Sequence, residues 1–122
     1  MRAIVSELGA VVPDGGTNLQ VGIKKLFELN SDITDVYLIT DGLPTLGEGQ
    51  SIKCKNFFKS KKSISSECRQ ELLVATAQRL PANTALNVIL LPIEGDPYAP
   101  AMYWDWANAT NGTFLSPAPE WP

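Results

Sequence analysis

Residues 36–42 read VYLITDG, an apolar run closed abruptly by an aspartate and a glycine. A strand that is apolar at successive positions has no wet face, which is the pattern of a parallel strand buried between layers. Asp41 then falls just past the strand, at the carboxyl edge of the sheet, where open α/β sheets bind ligands. Upstream, Gly15-Gly16-Thr17-Asn18 is a glycine turn leading into a helix that Thr17 or Asn18 caps. Leu19, Ile23, Leu26 and Phe27 share one face of that helix, while Lys24, Lys25 and Glu28 lie away from it.

The same reading extends to both ends of the chain. Ile4, Val5 and Leu8 have helical spacing over residues 2–8, and Gly9 and the turn-rich stretch 11–16 end that helix. Downstream of Gly42, a polar, lysine-rich insertion runs over about residues 43–65, with Pro44, Gly47 and Gly49. A helix follows from about Ser66, turning Leu72, Leu73, Thr76 and Leu80 inward until Pro81 ends it. Residues 86–93 form a second apolar strand. Asp96 and Pro97 read as the cap and first-turn proline of a helix reaching about Ala109. Asn111-Gly112 stops it, residues 113–115 form a short third strand, and residues 117–122 are a proline-rich tail.

Strands alternating with helices imply a mainly parallel α/β sheet, Rossmann-like and three-layered, in one domain spanning residues 1–122. Only three strands can be read, and the first of them looks the most buried. The neighbour expected on one side of strand 36–40 is not among these residues. The strand is therefore expected to present an apolar edge, open to self-association.

Composition narrows the chemistry. The chain has no histidine, which removes Ser-His-Asp and Cys-His catalysis and the commonest zinc ligand. A net charge of −3 gives no overall attraction to nucleic acid. No apolar run reaches the roughly 20 residues of a membrane span. The two cysteines, Cys54 and Cys68, can close one loop in an exported protein or remain thiols in a cytosolic one. The polar, lysine-rich loop between them favours the bridge, and with it a place outside the cytoplasm.

Thr17 and Asp41 are oxygen donors on separate loops expected at one sheet edge. Hard oxygen donors of this kind suit Mg²⁺, or Mn²⁺ or Ca²⁺ in its place. Taken singly, the turn is also a plain helix cap, and the aspartate a plain strand end.

The order GGTN, amphipathic helix, ITDG-terminated strand resembles the second and third motifs of the von Willebrand factor type A domain. Residues 87–93 look like that family's next strand, and residues 104–114 (WDWANATNGTF) resemble its late helix, glycine turn and short strand. The family builds a metal-ion-dependent adhesion site from three loops. By this resemblance Thr17 belongs to the second loop and Asp41 to the third, with Gly16 and Gly42 allowing close backbone approach. The first loop, Asp-x-Ser-x-Ser, occurs nowhere in these residues, so the chain looks like the C-terminal half to two-thirds of such a domain. The implied function is protein binding, with a cation bridging to a partner's carboxylate once the site is complete. A Mg²⁺-dependent phosphoryl-transfer or hydrolytic enzyme on a Rossmann-like sheet is the alternative.

Other features read more simply. Lys53, Lys55, Lys59, Lys61 and Lys62, interleaved with Phe57 and Phe58, suit an anionic partner or, more plainly, a solvated loop. GGTN lacks the Lys-Ser/Thr pair of a phosphate-binding loop. Asn108 and Asn111 each begin a glycosylation triplet, read as chance matches in a helix and a turn. Glu94 and Asp96 also end a strand, but nothing else suggests the sugar cleft that an acid/base pair would need. Trp104 and Trp106 are two apart and cannot share a helix face, so one is expected inside and the other partly exposed, near Trp121.

Overall fold

The computed structural model describes residue 7 and residues 15–47, 64–91 and 96–117 of the chain. They form a small α/β fold in the order α1 (Leu19–Leu29), β1 (Asp35–Thr40), α2 (Ser66–Ala77), β2 (Ala85–Leu90), α3 (Ala99–Ala109) and β3 (Phe114–Leu115). The three strands make a parallel sheet in the order β1-β2-β3. Its main ladder runs in register from Asp35 opposite Ala85 to Thr40 opposite Leu90. Of the helix expected over residues 2–8 only Glu7 is described, and it is helical; the lysine-rich stretch, with Cys54, and Trp121 lie outside the described residues.

Local chemistry sets the helix ends. Asn18, rather than Thr17, caps α1, its side-chain oxygen accepting the Val21 N–H at 3.1 Å. Ser65 does the same for α2, accepting the Cys68 N–H at 3.2 Å. α2 stops at Ala77, ahead of Pro81, as a following proline requires. The α3 exit depends on two unusual positions. Asn111 takes a left-handed φ of 56°, and Gly112 packs so closely on the Leu86 backbone that a Cβ there would overlap its carbonyl.

One continuous core lies on one side of the sheet. Leu86, Val88 and Leu90 of β2 are buried with Leu43, Leu73, Ala99, Tyr103, Trp106 and Ala107. Val36 and Leu38 of β1, Phe114 of β3, and Leu19 and Ile23 of α1 pack against them. All three helices therefore meet the even-numbered strand residues on the same face. Trp106 is buried and Trp104 exposed, the division their spacing demands.

The opposite face departs from the sequence expectation. Tyr37 and Ile39 of β1 are 72% and 65% exposed, so β1 alternates in and out instead of being buried on both faces. An apolar run specifies two faces that would tolerate burial, but it does not supply the second layer. Among the described residues the helices cover one face, and β1 is an edge strand. The second apolar strand begins at Ala85 and ends at Leu90, and residues 92–95 lie outside the described set. No helix among the described residues is long and apolar enough to cross a membrane.

Candidate functional site at the carboxyl edge of the sheet

The chain turns sharply as it leaves β1, and four side chains hold that turn, three of them from distant parts of the sequence. The Thr40 hydroxyl donates to the Gly42 carbonyl at 3.0 Å, and the Tyr103 hydroxyl of α3 donates to the same oxygen at 2.9 Å. The Asp96 carboxylate accepts the Leu43 N–H at 2.6 Å. Arg69 of α2 donates to the Leu43 carbonyl at 2.8 Å and to Asp96 at 2.6 Å. Gly42 leaves the clasp its room: a Cβ would come within 2.9 Å of the Asp96 carboxylate oxygen and 3.1 Å of the Arg69 guanidinium, so one of those side chains would have to shift. Leu43, inserted into the core just beyond, anchors the turn from below.

Asp41 is carried on this clasp but is not consumed by it. Its residue is exposed, beside a cleft of about 190 Å³ that it lines with Leu91, Asp96, Pro100 and Ser116. The cleft opens at the carboxyl edge of the sheet, where Ser116 donates to the Leu90 carbonyl.

Thr17 reaches the same region through its backbone. Its N–H donates to the Thr45 hydroxyl at 2.9 Å, and its carbonyl accepts the N–H groups of both Thr45 and Leu46 at 3.0 Å. Gly16 permits this lacing, since a Cβ would fall 2.6 Å from the Thr45 hydroxyl oxygen. The Thr17 and Asp41 loops are thus tied together at one edge, and both residues remain exposed.

Asp96 corrects the sequence reading. It does not cap α3 with its side chain: Tyr98 occupies the cap position without a side-chain hydrogen bond, and Pro100 sits in the first turn in place of Pro97. The Asp96 side chain, 6% exposed, needs a cation more than the helix needs a cap, and Arg69 supplies it. Arg69, Tyr103, Leu43 and Thr45 carried no local signal of a role at the site. Each joins it through contacts spanning 26 to 61 positions of chain.

Burial pushes the Tyr103 phenol up from 10.0 to about 12, with the Thr40 hydrogen bond acting downward and the Asp96 charge upward. The folded state therefore keeps this proton where the unfolded chain releases it. The contribution is whole below pH 10 and is lost as pH rises from 10 toward about 12. Two units correspond to about 3 kcal/mol at most. Urea unfolding between pH 8 and 11 should show a steeper alkaline loss in the wild type than in Tyr103→Phe; parallel pH profiles would contradict it.

The edge offers hard oxygens of the kind Mg²⁺ takes, the Asp41 carboxylate and the Thr17 hydroxyl, but few of them. Asp96 is already neutralised by Arg69. Among the described residues no three carboxylate or thiolate side chains gather into a cluster that could hold a metal. Away from the edge, Cys68 is buried in α2 and disulfide-bonded; Cys54, the chain's other cysteine, is outside the described residues.

No family model, curated protein or solved structure matches the chain.

Proposed function

We propose that the chain is a protein-binding module of the von Willebrand factor type A kind, its carboxyl-edge loops contributing Thr17 and Asp41 to a divalent-cation site. The observation that supports this reading is the lacing of the two loops, with Thr17 bonded to Thr45 and Leu46 just beyond Asp41 while both residues stay open to solvent. Thr17 and Asp41 would hold the cation, directly or through water. The cation, when bound, supplies a positive charge that a partner's carboxylate can complete. The clasp of Arg69, Asp96 and Tyr103 fixes the Asp41 turn, reducing the entropy that a partner must overcome. The disulfide at Cys68 supports an oxidising compartment.

One carboxylate and one hydroxyl compensate poorly for dehydrating Mg²⁺, so affinity should be weak, with a Kd on the order of 1 mM. Calorimetric titration with Mg²⁺ and Mn²⁺ should give weak heats with the wild type and none with Asp41→Ala. Equal heats for both proteins would contradict the assignment. Turnover of p-nitrophenyl phosphate, lost in Asp41→Ala, would replace it with a phosphoryl-transfer or hydrolytic enzyme.

A further inference from the structure

Asn108-Ala109-Thr110 and Asn111-Gly112-Thr113 both have the form of an N-glycosylation triplet. In the sequence the two look alike; in the fold they differ. Asn108 lies in the last turn of α3, where its side-chain amide donates to the Trp104 carbonyl at 3.0 Å. The Thr110 hydroxyl of that triplet is shared between the Trp106 and Ala107 carbonyls, at 3.2 and 3.0 Å. All these partners lie within four residues, so the triplet is withdrawn as soon as the helix forms, on a timescale of about a microsecond.

Asn111 lies beyond the helix, exposed, in a turn with a left-handed φ of 56°. The turn is held by backbone: the Asn111 N–H donates to the Asn108 carbonyl at 3.1 Å, and the Gly112 N–H to the Ala107 carbonyl at 2.9 Å. The Asn111 side-chain amide takes no part in those bonds. Thr113 donates its N–H and its hydroxyl to the Asn87 side-chain oxygen, at 3.1 and 2.8 Å, across 26 positions of chain. That hydroxyl stays free until β3 docks on β2, which leaves the second triplet readable on the emerging chain. The finished fold then houses a bulky group at Asn111 without displacing any core residue.

We infer that Asn111 is an N-glycan acceptor and that Asn108 is not. The donor is an oligosaccharide linked to a lipid pyrophosphate. The Asn111 Nδ2 bonds to the anomeric carbon as the sugar–phosphate C–O bond breaks; the pyrophosphate leaves with that electron pair, and the amide gives up one proton. The disulfide at Cys68 fits the oxidising secretory route on which such transfer occurs. The turn lies where β3 starts, at the amino edge of the parallel sheet, so the glycan leaves the Asp41 edge open. The inference does not depend on cation binding.

The test secretes the 122-residue chain from a eukaryotic host behind a cleavable leader and reads intact mass and gel mobility before and after peptide N-glycosidase. The wild type should carry one enzyme-removable oligosaccharide. Asn111→Gly, which suits the left-handed turn, should be secreted without it. Asn111→Asp, nearly isosteric, should lose it in the same way and covers the case in which the glycine variant is not secreted. Asn108→Gln should keep the whole glycan. A secreted wild type with no glycan would overturn the proposal, as would a glycan that survives both Asn111 variants. A glycan lost in Asn108→Gln, or a second one that this variant removes, would overturn the choice between the triplets.

Discussion

Arg69→Ala should lower the stability of the fold by about 3 kcal/mol or more, a larger loss than an exposed ion pair could cause. Asp96 is the reason. Its side chain is 6% exposed and relies on the Arg69 guanidinium at 2.6 Å, with the Leu43 N–H as its other donor. Removing the arginine leaves a buried carboxylate with one backbone hydrogen bond, and the Leu43 carbonyl loses a donor as well. Arg69→Met/Asp96→Leu, which deletes both charges and keeps the volume, should recover most of the loss. Urea denaturation of the two variants gives both numbers. A loss below about 1 kcal/mol for Arg69→Ala would mean that the clasp does not hold the turn.

Gly112→Ala should be at least as damaging, at about 3 kcal/mol, for an unrelated reason. A Cβ at Gly112 collides with the carbonyl of Leu86, which is backbone in the central strand and has nowhere to retreat. Accommodating it would separate the end of α3 from β2, breaking the Leu86 N–H bond to the Thr110 hydroxyl and the Val88 N–H bond to the Thr113 carbonyl. Gly22→Ala is the matched control. That glycine faces open space inside α1, so alanine should stabilise by about 0.5–1 kcal/mol through helix propensity. Thermal unfolding should move the two variants in opposite directions, and a Gly112→Ala protein as stable as the wild type would contradict the packing.

The elements that were legible in the sequence are those written in local patterns. Apolar runs marked β1 and β2, a glycine turn with Thr17 or Asn18 as cap marked the start of α1, and Asn111-Gly112 marked the end of α3. The positions of Thr17 and Asp41 were legible for the same reason, since a glycine turn and a strand end are short-range features. The face of β1 was not. Tyr37 and Ile39 are as apolar as Val36 and Leu38, and only the placement of the helices decides which pair is covered. Asp96 was misread because the adjacent proline suggested a cap, whereas its partners, Leu43 and Arg69, lie 53 and 27 positions away. A single sequence carries no mark of that distance, nor of the arginine and tyrosine that hold the Asp41 turn.

The proposed role stands or falls on where a divalent cation goes. Titrating Mn²⁺ into the ¹⁵N-labelled chain and following paramagnetic broadening in the amide spectrum locates it residue by residue. The account predicts that the amides of residues 16–18 and 40–43 broaden first and together, and that Asp41→Ala removes the effect at both loops. Broadening centred elsewhere, or persisting unchanged in Asp41→Ala, would contradict it.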